Sequence, residues 1–520
     1  MIIADPASID KDAATKCACS EGGASGRQAR AERAPTTEET VPSSVRAGKA
    51  VAVPEECWGK GLCAHAIGYT FAAADGWHRL SARKERPTLF MRTFDTEIDT
   101  PETIHAALTA RDHSHDAEVE ADVRAIFAEV RARGDEAVRD YTRQFDWPQV
   151  PAGTAEVDYG DLITANDRMS LEQTQMLLDA AVNIKEFHEA ERGHLQSWMH
   201  LPAQGAGRVL GQVLRPVQRV GVYVPGGKAS YPSTVLMAAI PARVAGVEEI
   251  IVCTPPQSDG SISPLVSSAA AYHADRVFKI GGAQAIAALA YGTETVPKVD
   301  MIVGPGNAYV NAAKRIAYGV VGIDMLAGPS EVAIVADKDA NPAFVAADLL
   351  AQTEHGPDNK GVLFCSSDEV MEECKRELNS QRAHLGRQEI LQQTAQALIL
   401  VKTQSVAESL DLCNVLAPEH LELMVRDPTT VLPLVKNAGA VLLGNYTSAP
   451  IGDYWAGPSH TLPTAGAARF SSPLSVATFM KRTSVVLYSR EAAQEAAEEV
   501  ARFADSEGFD AHARAARLRG

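Results

Sequence analysis

The stretch VQRVGVYVPGG (217–227) decides the fold class, because it is a short β-type run that ends in a Gly-rich turn. A helical run, STVLMAAIPARVAG (233–246), follows it, although Pro241 interrupts the helical pattern. The β-type run EEIIVCT (248–254) comes next. Buried strands that alternate with helices in this way predict βαβ units in a parallel sheet.

The same alternation continues towards the C-terminus. Further β-rich runs, separated largely by helical stretches, are RVFKI (276–280), VDMIV (299–303), EVAIVAD (331–337), GVLFCSS (361–367), ALILVKT (397–403) and GAVLLG (439–444). These strands are too many for one sheet. We therefore predict an α/β protein with two doubly wound parallel-sheet domains.

Residues 1–90 differ from the rest of the chain, because they are rich in small and polar residues without any periodicity. This composition predicts a disordered extension, which we interpret as dispensable, with Met91 as an alternative start. The boundaries that we predict for the remainder are a helical N-terminal arm over 91–115, a first α/β domain over 116–222 with 332–412, a second over 223–331 with 413–474, and a helical C-terminal tail over 475–520.

Composition excludes several classes of protein. The net charge is −17, and no cluster of Lys and Arg is present to follow a phosphate backbone, so we expect no nucleic-acid partner. No apolar run approaches the roughly 18 residues that a membrane helix needs. The eight cysteines form no CxxC pair and the N-terminus has no secretory pattern, which together favour a cytoplasmic protein.

Two Gly-rich turns are candidate anion sites. They are Pro225-Gly226-Gly227 and Gly304-Pro305-Gly306-Asn307, and each follows a β-type run and precedes a helix. Free N–H groups at such a helix start attract phosphate groups. The alternative is an ordinary tight turn between a strand and a helix, and the usual GxGxxG fingerprint is absent.

Four polar clusters are candidates for chemistry. Gln352 and His355 share a helix face and could bind one metal ion, or the histidine could simply end a helix before Gly356. Glu419-His420 follows a proline and could supply a base and an activator of water; the alternative is a capped strand entry with two exposed polar residues.

The third cluster is the loop GDYWAGPSHTLP (452–463), whose Gly, Pro and Trp content is typical of an ordered ligand-binding loop. The fourth is Glu507 with His512 in the charged tail, for which a solvated helix face is the alternative. Spacing alone supports no more than a mixed nitrogen and oxygen metal site made from separate elements.

Eight strings occur in one order that resembles the histidinol dehydrogenase family over about residues 95 to 520. They are VGVYVPGG, GGAQAIAALAYGTE, VGPGNAYV, AGPSEV, QTEHGPD, LAPEHLEL, GDYWAGPSHTLPT and EGFDAHARAA. The resemblance implies two related Rossmann-like domains, the second on the NAD side, and an intertwined homodimer. It also implies one Zn²⁺ per subunit. The implied reaction is the last step of histidine biosynthesis, a four-electron oxidation of L-histidinol to L-histidine through the bound aldehyde with two NAD.

Carried over position by position, the resemblance implies a role for each matching residue. The catalytic pair is Glu419 and His420. The zinc ligands are Gln352, His355, Asp453 and His512. The substrate contacts are the zinc ligands with His420, Ser330, His460 and Glu507. The residues of the NAD site are Tyr223, Gln284 and Asn307. His512 and Glu507 are expected to reach the active site of the neighbouring subunit.

Three alternatives stay open from the sequence. A relative of the same fold could oxidise another alcohol, such as a sulfonated diol, although His460 and Glu507 would then have no use. A cysteine nucleophile is a second alternative, with Cys253, Cys365, Cys374 and Cys413 as candidates. A zinc-stabilised binding protein without catalysis is the third, and it predicts loss of Glu419 or His420, both of which are present.

Overall fold

The structure is a computed structural model that describes residues 91–520 except 111–115, 154, 204–206, 227–229, 354–355, 357 and 387–393. The predicted disordered extension (1–90) and the predicted zinc ligand His355 lie outside the described residues. No helix in the described ranges has the length and apolar character that crossing a bilayer requires.

The described strands are β1 (Arg92–Asp95), β2 (Trp198–His200), β3 (Arg208–Pro216), β4 (Arg219–Tyr223), β5 (Glu249–Thr254), β6 (Arg276–Lys279), β7 (Met301–Val303), β8 (Gly322–Ile323), β9 (Glu331–Ala336), β10 (Lys360–Cys365), β11 (Leu398–Lys402), β12 (His420–Met424), β13 (Ala440–Leu443) and β14 (Met480–Tyr488).

The described α-helices are α1 (Pro101–Thr109), α2 (Asp116–Arg133), α3 (Asp135–Phe145), α4 (Tyr159–Thr164), α5 (Leu171–Gly193), α6 (Pro232–Ala245), α7 (Pro264–His273), α8 (Gly282–Tyr291), α9 (Ala308–Ala317), α10 (Pro342–Thr353), α11 (Asp368–Arg382), α12 (Val406–Leu416), α13 (Pro428–Val431), α14 (Ala449–Tyr454), α15 (Arg490–Ser506) and α16 (Asp510–Arg517).

Two parallel sheets form the body of the protein. One has the strand order β6-β5-β4-β7-β8 and the other β1-β11-β10-β9-β12-β13, and every pair of neighbours within them is parallel. In the five-stranded sheet the order reverses between β4 and β7, so the sheet is doubly wound. The predicted fold class, with two doubly wound parallel sheets, is confirmed.

Sheet membership differs from the boundaries that the sequence predicts. Strand β4 pairs with β5 and β7, so residues 219–223 belong with the five-stranded sheet. Strands β12 and β13 belong with β9 in the six-stranded sheet. Strand β1 pairs with β11, so the predicted N-terminal arm starts as an edge strand of that sheet. Alternation in sequence identifies buried strands, but it carries no information about which strands are neighbours.

A third, antiparallel sheet has the order β14-β3-β2. Its strand β14 lies in the segment predicted as a purely helical tail, and most of its side chains are exposed. Without a buried face the strand has no alternating pattern to reveal it. The helical part of the prediction is confirmed from Arg490 onward, where α15 and α16 pack on each other.

Helix α6 is continuous in spite of Pro241. A proline inside a helix removes one hydrogen bond and costs about 3 kcal/mol. Burial offsets this cost, because the residues from Thr234 to Ala242 are all buried and α6 packs between α5 and α7.

A fully buried ion pair fixes the turn after β7. Lys314 of α9 donates from Nζ to Gly304 O at 2.9 Å and also binds Asp324, and neither charged side chain has any exposed surface. Asp324 Oδ2 accepts from Gly304 N at 2.8 Å. The pair therefore holds the Gly304 peptide by both its carbonyl and its N–H. Gly304 has φ +112°, and a Cβ there would lie 2.1 Å from Tyr223 O, so only glycine fits.

Replacing Lys314 by Met should lower the free energy of unfolding by about 3–5 kcal/mol, because the Asp324 carboxylate would stay buried without its counter-charge. Urea denaturation followed by circular dichroism measures the change. Arg426→Met is the matched control, since the Arg426–Asp339 pair is exposed and should contribute little. Equal effects of the two substitutions would contradict this assignment.

Candidate active site

The Glu419–His420 pair stands where a turn enters β12. Ala417 ends α12 in the left-handed conformation, with φ 52°, Pro418 follows, and the strand begins at His420. Ala440 N of β13 donates to Glu419 O at 2.9 Å and holds the turn. The alternative interpretation was right about a strand entry but wrong about exposure, because Glu419 and His420 are only 6% and 5% exposed.

The Glu419 carboxylate is held by the segment that starts β9. Its Oε2 accepts from Glu331 N at 3.0 Å, and the Ser330 hydroxyl donates a further hydrogen bond to the carboxylate. Burial raises the pKa of Glu419 to about 7, although the neighbouring His420 charge and these hydrogen bonds oppose the rise. A carboxyl group with a pKa in this range can exchange a proton near neutral pH.

His420 lies between two carboxylates. Its Nε2 is 3.1 Å from Oδ1 of Asp453, and its Nδ1 is 3.8 Å from Oε2 of Glu419. Burial lowers the pKa of His420, but the Asp453 hydrogen bond and the Glu419 charge outweigh this and raise it above the usual value. Nδ1 is buried without a hydrogen-bond partner among the described residues, so it is free to take up a proton.

His460 completes this cluster. Its Nδ1 lies 3.1 Å from Asp453 O, and burial lowers its pKa. The loop that carries His460 is anchored on α6, because Ser459 Oγ donates to Met237 O at 3.2 Å. The loop therefore connects the six-stranded sheet to a helix of the five-stranded sheet. Of the predicted catalytic and substrate residues, the structure brings together Ser330, Glu419, His420, Asp453 and His460.

Gln352 is buried near the end of α10. This helix connects β9 to β10 and so runs antiparallel to the strands. Asp348, one turn earlier on the helix, hydrogen-bonds Glu422 of β12. One turn along α10 corresponds to about two residues along β12, so Gln352 lies further towards the end of the sheet at which β12 begins. Its Nε2 has no hydrogen-bond partner among the described residues.

Glu422 is a buried residue of this site that the sequence analysis missed. Its Oε1 accepts from Ala449 N at 2.9 Å, at the start of the helix that carries Asp453. Burial, and then the charge of Asp348, raise its pKa well above the usual value. A signal was present in the sequence, because Glu422 stands two residues after His420 and so shares its face of the strand.

The donor set of the predicted zinc site fits a mixed nitrogen and oxygen site in chemical type. Gln352 offers a buried amide, and Asp453 offers a carboxylate that is hydrogen-bonded to His420. Within the described ranges no three His, Cys, Asp or Glu side chains stand close enough together to hold a metal ion. That search does not reach His355, and His512 is expected from a second subunit.

Glu507 and His512 are exposed in the tail. Glu507 caps the end of α15, and the His512 ring lies 5.2 Å from the ring of Phe509. Their contribution to the active site of a neighbouring subunit stays a prediction.

A large cavity lies at the carboxyl ends of β4 and β5, beside the point where the strand order reverses. Its volume is about 1280 Å³, and it is lined by Tyr223, Gln284 and Asn307. The Tyr223 hydroxyl accepts from Gly282 N at 3.0 Å, and Asn307 caps α9. Both amide atoms of the buried Gln284 lack hydrogen-bond partners in the described structure. Open α/β sheets bind ligands in such a crevice.

The four described thiols offer no reactive nucleophile. Cys253, Cys365, Cys374 and Cys413 are all buried. Burial raises the pKa of each, to about 12 for Cys253 and Cys374 and about 11 for Cys365. Because the thiolate is the reactive form, the structure weakens the alternative of a cysteine nucleophile.

Fold and site together define a class: an α/β enzyme with a buried Glu-His pair on one parallel sheet and a ligand crevice at the strand reversal of the other. The family model described as Histidinol dehydrogenase matches residues 109–520. The histidinol dehydrogenase of Listeria innocua is 42% identical over 426 residues, which are 82% of this chain and 98% of that protein. The histidinol dehydrogenase of Methanosarcina barkeri is 45% identical over 399 residues, which are 76% of this chain and 91% of that protein.

A crystal structure of histidinol dehydrogenase from Elizabethkingia anophelis superposes with a TM-score of 0.78 and 34% sequence identity, and the match covers 82% of this chain and 98% of that chain. The chain belongs to the histidinol dehydrogenase family.

Replacing Ala417 by Val should lower the free energy of unfolding by about 1–3 kcal/mol, because a β-branched residue is strained at positive φ. Urea denaturation measures this change in the free energy of unfolding. Ala417→Gly is the matched control and should change the unfolding free energy much less, since glycine adopts this conformation freely. A valine variant as stable as the glycine variant would show that the turn before Glu419 is not constrained.

Proposed function

We propose that this protein oxidises L-histidinol to L-histidine through the bound aldehyde, with two NAD and one Zn²⁺ per subunit, as the last step of histidine biosynthesis. Family membership supports the reaction. The observation that carries the proposal is the buried cluster in which His420 lies between the carboxylates of Glu419 and Asp453.

His420 is the base that removes the hydroxyl proton. With Nε2–H donating to Asp453, the lone pair of the ring is on Nδ1, which has no partner among the described residues. The Asp453 hydrogen bond and the Glu419 charge both stabilise the protonated ring. Base assistance of this kind typically accelerates a step by about 10²–10⁴-fold.

Glu419, together with His420, activates the water that adds to the aldehyde. Its pKa of about 7 makes the carboxylate basic enough to accept a proton from water as the hydrate forms. The hydrogen bonds from Glu331 N and Ser330 fix its orientation while it acts. Each turnover consumes one water, and each of the two oxidations releases a hydride and a proton.

The residues that would hold zinc are Gln352, His355, Asp453 and, from a second subunit, His512. When bound, the ion supplies a template that orients the imidazole and amine nitrogens of the substrate. His460 and, from the second subunit, Glu507 are the proposed contacts for these groups. A sulfonated diol offers neither group, which favours histidinol.

The residues that would hold NAD are Tyr223, Gln284 and Asn307 in the crevice of the five-stranded sheet. When bound there, NAD accepts the hydride of each oxidation. The unpartnered amide of Gln284 supports this assignment, because a buried amide without partners is costly unless a ligand supplies them.

A homodimer is part of the proposal. Large apolar side chains are exposed on α5, on the antiparallel sheet and on the tail, among them Leu171, Val182, Trp198, Val486, Phe503 and Phe509. A second copy of the chain that covers them would remove this apolar surface from water. We expect the dimer to act in the cytoplasm, where the four described free thiols stay reduced.

Treatment with a chelator should abolish NADH formation from L-histidinol, and added Zn²⁺ should restore it, because the substrate would lose the group that orients it. Absorbance at the NADH band measures both. The restored enzyme should form two NADH per histidinol consumed. Activity that is indifferent to chelation would contradict the zinc proposal, and one NADH per histidinol would indicate a simple alcohol dehydrogenase.

Replacing Glu419 by Gln should slow acid formation by about 10²–10⁴-fold, because an amide cannot accept the proton from water.

In the unsubstituted enzyme the rate should fall as the pH drops below about 7, since Glu419, with its pKa raised to about 7, becomes protonated there. The pH dependence of kcat measures this, and in the Glu419→Gln variant only the ionisation of His420, whose pKa is also raised, should remain.

Cys413→Ser is the matched control in the same experiment. Cys413 is buried in α12, just before the catalytic turn, so its substitution should leave acid formation intact. Loss of the aldehyde step alone in the serine variant would support the thiol alternative instead. A Glu419→Gln variant that keeps the full rate would remove Glu419 from the mechanism.

A further inference from the structure

Asp146 lines the same cavity as Tyr223, Gln284 and Asn307, although it comes from the segment just after α3. Its main-chain N–H is used by the helix, donating to Thr142 O at 3.0 Å. Its side-chain Oδ2, in contrast, is buried without a hydrogen-bond partner in the described structure. No hydrogen bond to Oδ2 within the described residues therefore accounts for a carboxylate at this position in the cavity.

The carboxylate stands at the carboxyl ends of β5 and β6. A Cβ added to Gly281, just after β6, would lie 2.9 Å from Asp146 Oδ2 and 2.5 Å from Pro255 Cβ, just after β5. These short distances fix the position of Asp146 relative to the sheet. It lies over the half of the five-stranded sheet that β5 and β6 form. Strand β4, the first of this sheet in the chain, is next to β5 at the centre.

In doubly wound dinucleotide-binding sheets, the pyrophosphate lies at the turn after the first strand, and a carboxylate about 20 residues further on binds the adenosine ribose hydroxyls. Here the first strand is β4, and its turn begins at Pro225. The second strand, β5, ends at Thr254 and continues as Pro255-Pro256-Gln257, which contains no carboxylate. Asp146 brings a carboxylate to the end of this strand from another part of the chain.

The charge of Asp146 favours neutral hydroxyl donors over a phosphate at its end of the cavity. Burial raises the pKa of Asp146 to about 6, so the carboxyl group is still largely ionised at neutral pH. No hydrogen-bond donor from the described residues contacts its Oδ2. Among the described residues that line the cavity there is no Lys or Arg. A phosphate beside Asp146 would meet a like charge with no compensating cation from these residues.

We propose that Asp146 binds the adenosine ribose diol of NAD and excludes the 2′-phosphate of NADP. The assignment rests on the proposed use of NAD in this crevice. Two vicinal hydroxyls would donate to the carboxylate, whereas the 2′-phosphate would replace one donor by a negative group.

Binding to substrate-free protein tests the proposal by isothermal titration calorimetry, with ADP-ribose and 2′-phospho-ADP-ribose as probes. The unsubstituted protein should prefer ADP-ribose by about 10-fold or more, because hydrogen bonds to a charged group are lost and repulsion is added. Asp146→Asn should weaken ADP-ribose and strengthen the phosphorylated probe, so that the preference falls about 10-fold.

Asp122→Asn is the matched control. Asp122 also lines the cavity, but it lies near Tyr309, whose hydroxyl is 3.4 Å from its carboxylate. The same loss of charge there should leave the preference between the two probes unchanged. An equal effect of both substitutions would mean that the net charge of the cavity, and not a contact with the ribose, sets the preference.

A second comparison, of two ligands on the unsubstituted protein, tests the proposal even if the Asp146→Asn variant does not fold. ADP should bind about 10-fold or more tightly than 2′-deoxy-ADP, since one donor to the carboxylate is missing in the latter. Equal affinities, or an Asp146→Asn variant with the original preference, would overturn the ribose assignment. Failure of the proposed function looks different, because no NADH would then form from histidinol with NAD.

Discussion

The parallel pairing of β9 with β12 is the constraint on which the buried cluster of Glu419, His420 and Asp453 depends. The register aligns Val332 with His420, and the N–H of Glu331 at the start of β9 then points at the Glu419 carboxylate. These two segments are 88 residues apart in sequence. The cluster therefore forms only when β9 and β12 are paired.

Carboxyl groups buried around β12 give the site its chemical character. Glu419 and Glu422 are held largely by main-chain N–H groups, and burial raises both their pKa values. Glu422 also ties β12 to the start of α14, and α14 carries Asp453 to its hydrogen bond with His420. A strand, a helix and a histidine are thus linked by successive hydrogen bonds, and the histidine is buried between carboxylates that raise its pKa.

The two parallel sheets separate the proposed tasks. The six-stranded sheet holds the acid–base groups, and the five-stranded sheet forms the crevice at its strand reversal. Two features hold the turn before Asn307 and the loop that carries His460 in place. The buried Lys314–Asp324 pair fixes the turn that precedes Asn307, and Ser459 anchors the His460 loop on α6.

The sequence by itself determined the strands with buried faces, the fold class, the family and the residues that the motifs name, because burial and tight turns leave patterns within a few neighbouring residues. Tertiary structure alone decided which strands pair, and so the true membership of β4, β12 and β13. It also decided the exposed strand β14, the hydrogen bond from Ala449 to Glu422, and the position of Asp146 at the ends of β5 and β6. Contacts between distant segments and a strand without a buried face leave no local pattern in the sequence.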